Sequence, residues 1–190
     1  MSSAIAEDYA WFDQHDSGLA EAFCVTFVRG LTPRQAFDRL GVTPDDDPDD
    51  DGFYEEGVMA ASAVDGGTVL IEFNGFQGIL DSVTGPLSVG TVTAAVFRNV
   101  NHDQQFVHAA DGRVTATFEP DYPAHGGVDE DLLLTHMVEL GMPTDDVDDA
   151  DDWGNPIHTA FALAERVTGV RLTPGAIDSP ALIGSIAHLS

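Results

Sequence analysis

Arg29, Arg34, Arg39, Arg98, Arg113, Arg166 and Arg171 are the only cationic side chains of this sequence apart from its histidines, because it contains no lysine. They face 33 carboxylates, which leaves a formal charge of −26. Self-repulsion of that size opposes a compact state, so the acid has to stay solvated while an ordinary apolar core does the folding. Much of it is confined to two short blocks. Asp45, Asp46, Asp47, Asp49, Asp50 and Asp51 form the first, and Asp145, Asp146, Asp148, Asp149, Asp151 and Asp152 the second. Nucleic acid and anionic lipid headgroups are repelled by such a surface, so neither direct nucleic-acid binding nor membrane binding is expected.

The core is available. Apolar residues make up 43% of 190 positions, enough for one domain that buries roughly 70% of the surface its unfolded chain exposes. The reading is a single domain over residues 1–190 with acidic loops at 43–56 and 143–154. The first residues lack the basic and apolar regions of a secretory signal, and no apolar run approaches the ~20 residues needed to cross a bilayer. A soluble, cytoplasmic protein is therefore expected. Cys24 is the only cysteine, which excludes an internal disulfide and a multi-cysteine zinc site. It lies in the apolar run 22–28 and reads as a buried, inert thiol. Scarcity of lysine codons in a high-GC genome is the expected reason for the arginine-only composition, with avoidance of lysine-directed modification and a halophile's acidic surface as the alternatives.

Residues 5–14 read as a short amphipathic helix ending before Asp16-Ser17-Gly18. Phe23–Val28, apolar on both faces, reads as a central strand. Thr32-Pro33-Arg34-Gln35 is a capping box with proline at the first helical position, and Gly41 suits the left-handed stop. Strands follow at Val58–Val64 and Thr68–Phe73, joined by Asp65-Gly66-Gly67, and again at Thr91–Phe97. Gln105–Ala110 and Arg113–Phe118 flank Asp111-Gly112, a pair suited to a type I′ hairpin, with Val107, Ala109, Val114, Ala116 and Phe118 alternating toward one face. The last third reads as helical: a segment capped by Asp129 and ended by Gly141, one opened by Asn155-Pro156 and stopped at Gly169, and a last helix from Ser179-Pro180 through Leu189. The expected fold is α+β, an antiparallel sheet of about five to six strands with helices packed on one face.

Catalytic signatures are sparse. A Walker-type phosphate loop needs a lysine, and no G-x-S-x-G, H-E-x-x-H or G-x-G-x-x-G pattern occurs. Asp47-Pro48-Asp49-Asp50-Asp51-Gly52 matches the start of a calcium loop, but the twelfth position is Val58 where such a loop needs a bidentate glutamate. A solvated acidic loop is the better reading, because such a match arises easily within an aspartate-rich run, and neither a metal nor another cofactor is expected. The histidines show no metal-ligand spacing. Polar residues set at the ends of apolar strands are the better candidates: Asn74 and Gln77 after one strand, and Arg98, Asn99 and Asn101 after another. Loops at strand ends commonly carry recognition. The structural alternative is that they satisfy backbone groups and a carboxylate such as Glu119.

Several of these segments recur as a set. Tyr9-Ala10-Trp11-Phe12, Val28-Arg29-Gly30-Leu31-Thr32-Pro33, Asn74-Gly75-Phe76-Gln77-Gly78, Val96-Phe97-Arg98-Asn99-Val100-Asn101 and Leu163–Pro174 together make the chain resemble a family of small actinobacterial proteins with a domain of unknown function. The resemblance implies a high-GC source and carries no activity, cofactor or site residue. From charge alone, the leading expectation is a non-catalytic binding protein, immunity-like or regulatory, that engages a basic protein partner through its acidic surfaces. The alternatives are a DNA mimic that inhibits a nucleic-acid-binding protein, and an enzyme with a strand-end site around Arg98.

Overall fold

Eight β-strands hydrogen-bond into one sheet in the computed structural model, which describes residues 3–45, 56–128, 131–143 and 154–189. In chain order they are β1 (Phe23–Arg29), β2 (Val58–Val64), β3 (Gly67–Phe73), β4 (Val92–Arg98), β5 (Gln104–Ala110), β6 (Arg113–Glu119), β7 (Tyr122–Val128) and β8 (Leu182–Ser185). The spatial order is β7-β6-β5-β4-β1-β3-β2-β8, and every pairing is antiparallel. Among the described residues, five α-helices accompany it: α1 (Pro33–Leu40), α2 (Asp81–Ser88), α3 (Asp131–Glu139), α4 (Pro156–Thr168) and α5 (Pro174–Asp178). The fold is thus α+β, as the pattern of strands predicts. Among the described residues, no helix is long and apolar enough to cross a membrane.

The sheet is wider than the five to six strands expected, for two reasons. Residues 122–128, with a proline and two adjacent glycines, carry little strand propensity and are recruited by pairing to β6. At the other edge, Leu182–Ser185 pairs with β2 where the sequence suggests a helix running to Leu189. Ile183 and Ile186 fall three apart, a spacing that suits a helix, yet Gly184 has to lie flat against the 42–43 backbone: a β-carbon there would stand 2.6 Å from the Thr43 carbonyl oxygen. The segment 5–14 likewise forms two 3-10 turns, Ala6–Tyr9 and Phe12–Gln14, instead of one helix.

Helices cover both faces of the sheet, not one. The reason is β1 itself. Phe23, Val25 and Phe27 project into a core shared with α4, α5 and the N-terminal turns, centred on Phe161, whose ring lies 4.8 Å from that of Phe12. Val28, Leu70, Met59 and Ala61 project the other way, against α1 and α2 through Ala36, Phe37, Leu40, Val83 and Leu87. A central strand apolar on both sides demands two covers. Helix α2, with Gly85 and Pro86 inside DSVTGPLS, has no legible helical signature.

The expected capping box holds. Thr32 Oγ1 accepts the Gln35 amide at 3.3 Å while Gln35 Oε1 accepts the Thr32 amide at 2.9 Å, and Gly41 takes φ +67°. Asp111 (φ +50°) and Gly112 (φ +82°) form the turn between β5 and β6, but the strands that flank it do not stay in simple register. Ala109 faces Val114 and His108 faces Ala116, so Thr115 is an extra residue. This β-bulge sends Ala116 and Phe118 to the α4 side, where Phe118 stacks on Phe106 with ring centres 4.8 Å apart. Val107 and Ala109 stay on the opposite face, so the single-face alternation expected for this hairpin is broken at one residue.

Candidate functional site

Where the arginines go determines what the surface can do. Arg29 donates to the carbonyls of Thr168 (2.6 Å) and Val167 (2.9 Å) at the end of α4. Arg39 does the same for α2, reaching Leu87 at 2.9 Å and Val89 at 2.8 Å. Both place a cation at the negative end of a helix. Arg166 donates from Nε to the Ala4 carbonyl (2.8 Å) and from Nη1 to Glu139 (2.7 Å). Arg171 holds the buried Glu165 carboxylate at 2.8 Å, which also accepts the Tyr9 hydroxyl at 2.8 Å. Burial and the Glu165 charge push the Tyr9 phenol well above its ordinary range. Arg29, Arg166 and Arg171 each donate from two different guanidinium nitrogens, a fork that an ammonium could not reproduce. Among the described residues, arginine ion pairs reach only Asp8, Asp38, Glu139 and Glu165.

The polar strand-end residues do gather at one end of the sheet. Phe23 of β1 lies between Phe73 and Arg98 in register, so Asn74 and Arg98 sit two strands apart, about 10 Å by strand spacing. Their local roles differ. Asn99 Oδ1 accepts the amides of Asn101 (2.9 Å) and Asp103 (3.0 Å), and its Nδ2 donates to Asp103 Oδ2 at 2.8 Å, which makes it the organiser of the β4–β5 loop. Asn101 is exposed there. Arg98 donates to His102 Nδ1, and the carboxylate it favours electrostatically is Asp121, not Glu119. Burial holds the Asp121 carboxyl above its usual range all the same, with Gln104 Nε2 donating to it at 3.0 Å. Asn74, at φ +46°, donates to Glu56.

Gln77 belongs to a feature the sequence reading missed. Glu72, near the end of β3, is 1% exposed. Its carboxylate accepts the amides of Gln77 (3.0 Å) and Gly78 (2.8 Å), so the Asn74–Gly78 turn wraps around it. Both glycines are required. A β-carbon on Gly75 would lie 2.5 Å from Glu72 Oε2, and one on Gly78 would lie 2.2 Å from Thr26 Oγ1 and 2.7 Å from Cys24 Sγ. Burial raises the Glu72 carboxyl to about 7 against the pull of the two amides, and burial together with the Glu72 charge raises the Cys24 thiol. The available signal was a lone glutamate in the apolar run Thr68–Phe73, directly before a glycine-rich turn. Enclosed as it is, Glu72 positions the turn and meets no solvent-borne ligand.

Beside that turn the sheet is open. Helix α2 has eight residues, about 12 Å, and packs across β4, β5 and β6. Seven-residue strands run about 23 Å, so the far end of this face is left uncovered. Phe97, Gln105, Thr117 and Glu119 share that face, and with Asp103, Gln104 and Phe118 they line a groove of about 730 Å³. Its floor is aromatic, its middle is amide and hydroxyl, and its rim carries the exposed acids Asp103 and Glu119. Phe76 stands 49% exposed on the turn around Glu72.

Of the two aspartate blocks, only Asp45 lies within the described residues, where its amide donates to the Ile183 carbonyl at 2.8 Å. Asp46, Asp47, Asp49, Asp50, Asp51, the calcium-like run they belong to, and Asp145–Asp152 lie outside them. Among the described residues, no group of three or more His, Cys, Asp or Glu side chains is placed to hold a metal ion.

Comparison with known proteins agrees with the resemblance to a family with a domain of unknown function. The profile of a family of unknown function (DUF6461) matches residues 2–183, and the chain belongs to that family. No curated protein and no solved structure matches it.

Proposed function

We propose that this member of the family is a cytoplasmic binding module that engages a basic protein partner, with the groove over Phe97 as the place where a cationic side chain is received. The observation that carries the reading is the inward commitment of the arginines. With Arg29, Arg39, Arg166 and Arg171 tied to carbonyls and to a few carboxylates, most acids among the described residues are left without an arginine ion pair. The field they create steers cations toward the protein and raises their encounter rate. In the groove, an arginine or lysine would meet an aromatic floor and two acids, Asp103 and Glu119. A cation over an aromatic face is worth about 0.5–2 kcal/mol, and each exposed ion pair up to about 1 kcal/mol. The groove therefore supplies selectivity, while the wider charge supplies rate. The aspartate blocks would extend the same field.

Calorimetric titration with an arginine-rich peptide, and with a glutamate-rich peptide of equal length, tests this. Binding of the basic peptide alone is expected, weakening steeply with salt. The pair D103N/E119Q should raise Kd about three- to tenfold. Equal affinity in that variant would overturn the groove as the site. Failure of the basic peptide to bind at low salt would overturn the module itself.

A further inference from the structure

A second site lies away from the groove, where the N-terminal turns meet α5. His15 is held between two partners: Ser17 Oγ lies 2.9 Å from His15 Nδ1, and Asp178 Oδ1 lies 3.1 Å from His15 Nε2. The tautomer follows from the donors. The backbone N–H of Ser17 also points at Nδ1, at 3.3 Å, and an amide can only donate, so Nδ1 carries the lone pair and the ring proton sits on Nε2, facing Asp178. Among the described residues, the acceptor within reach of the Ser17 hydroxyl is Nδ1, whose lone pair it shares with the longer contact from the Ser17 amide. Its own oxygen accepts the amide of Leu19 at 3.2 Å, a contact that favours the alkoxide over the alcohol. Trp11 packs edge-on against the imidazole with ring centres 5.8 Å apart and fixes its plane. A cavity of about 370 Å³ opens on this relay, lined by Gln14, His15, Asp16, Ser17 and Asp178.

Nucleophile, base and orienting carboxylate in hydrogen-bonded series are the components of acyl transfer, with the two imidazole nitrogens in exchanged roles. We propose that Ser17, His15 and Asp178 form a hydrolytic site for small neutral or cationic esters with a good leaving group. Ser17 Oγ attacks the acyl carbon as its proton passes to His15 Nδ1, and Asp178 stabilises the imidazolium. The ester C–O bond then breaks, the leaving oxygen taking the proton from Nδ1. Water, deprotonated by the same nitrogen, attacks acyl-Ser17, and the serine leaves reprotonated, giving acid and alcohol. Gln14 brings to the cavity an amide donor of the type that stabilises an oxyanion. The charge of Asp16, Asp178 and the chain as a whole disfavours anionic substrates.

The absence of lysine makes the test unusually clean, because the common side reaction of activated esters with surface amines is reduced to the N-terminus. The full-length protein is incubated with p-nitrophenyl acetate and, separately, with a fluorophosphonate probe, and the modified residue is located by peptide mass spectrometry. Acylation and phosphonylation are expected at Ser17. S17A and H15Q should lower p-nitrophenolate release at least a hundredfold, in the range set by loss of a nucleophile or general base. D178N should lower it at least tenfold. A purely structural tie of this loop to α5 would shift the melting temperature without moving the label. S17C gives an independent reading: its thiol should react with iodoacetamide at least tenfold faster than in H15Q/S17C, with Cys24 silent because it is wholly buried. Label on other residues, undiminished turnover in S17A, or equal alkylation rates in the two cysteine variants would overturn the proposal.

Discussion

Replacing Glu72 by glutamine should change how stability depends on pH more than it changes stability at any one pH. In the folded chain the carboxyl is raised from 4.5 to about 7, so the folded state holds its proton more tightly than the unfolded state. The stabilisation linked to that proton is present in full below pH 4.5 and is lost as pH rises through about 7. At about 1.4 kcal/mol per pH decade, the displacement corresponds to about 3 kcal/mol. His108 works in the opposite direction. Burial, with the nearby Arg29 charge, lowers its imidazole from 6.5 to about 4, so its contribution is present above pH 6.5 and disappears as pH falls through about 4. Its size is also about 3 kcal/mol. The two windows overlap between pH 4.5 and 6.5, where they offset each other. Chemical denaturation at fixed ionic strength from pH 4 to 8, with each variant compared to wild type so that the shared background cancels, separates them. E72Q should gain about 3 kcal/mol relative to wild type as pH rises from 4.5 to 7, whatever its offset, and H108Q should lose a similar amount between pH 4 and 6.5. An E72Q profile parallel to wild type within 1 kcal/mol would refute the burial argument for Glu72.

Two further outcomes follow from the same structure. G78A forces a β-carbon to 2.2 Å from Thr26 Oγ1 and should cost about 3 kcal/mol; a denaturation midpoint unchanged from wild type would mean that the turn around Glu72 can relax. Raising NaCl from 10 to 500 mM should raise the melting temperature, because the self-repulsion of a chain at −26 is screened, and a flat or falling melting temperature would count against uncompensated surface acid.

What the sequence revealed and what it hid divides along the range of the interactions involved. The elements of α1 were legible because the capping box, the proline at its first position and Gly41 all act within ten residues. So were β1, from its run of β-branched and aromatic side chains, and the turn at Asp111-Gly112. The bulge at Thr115 was not, since one extra residue leaves the composition of the strand untouched while reversing the face of everything beyond it. Strand β8 exists because β2 offers it an edge and the 42–43 backbone needs a flat neighbour, and both facts lie over a hundred residues away in the chain. Helix α2 forms despite Gly85 and Pro86, because Val83 and Leu87 reach the second core.

The strand-end residues show the same division at the level of chemistry. Asn74, Gln77, Arg98, Asn99 and Asn101 stand out in sequence because they are polar among apolar neighbours, and the structure does bring them to one end of the sheet. Yet polarity in an apolar context is also what a turn needs. Asn99 satisfies two amides of its own loop, and the turn holding Asn74 and Gln77 closes around Glu72. The groove is defined instead by what α2 fails to cover, and no local motif encodes the length of a helix relative to the sheet beneath it. Ser17, His15 and Asp178 are hidden for the same reason: two of them lie within three residues, but the third arrives on α5 with seven of the eight strands between them in the chain. In this chain, the residues that advertise themselves build turns, and the surfaces available to other molecules are set by where helices stop.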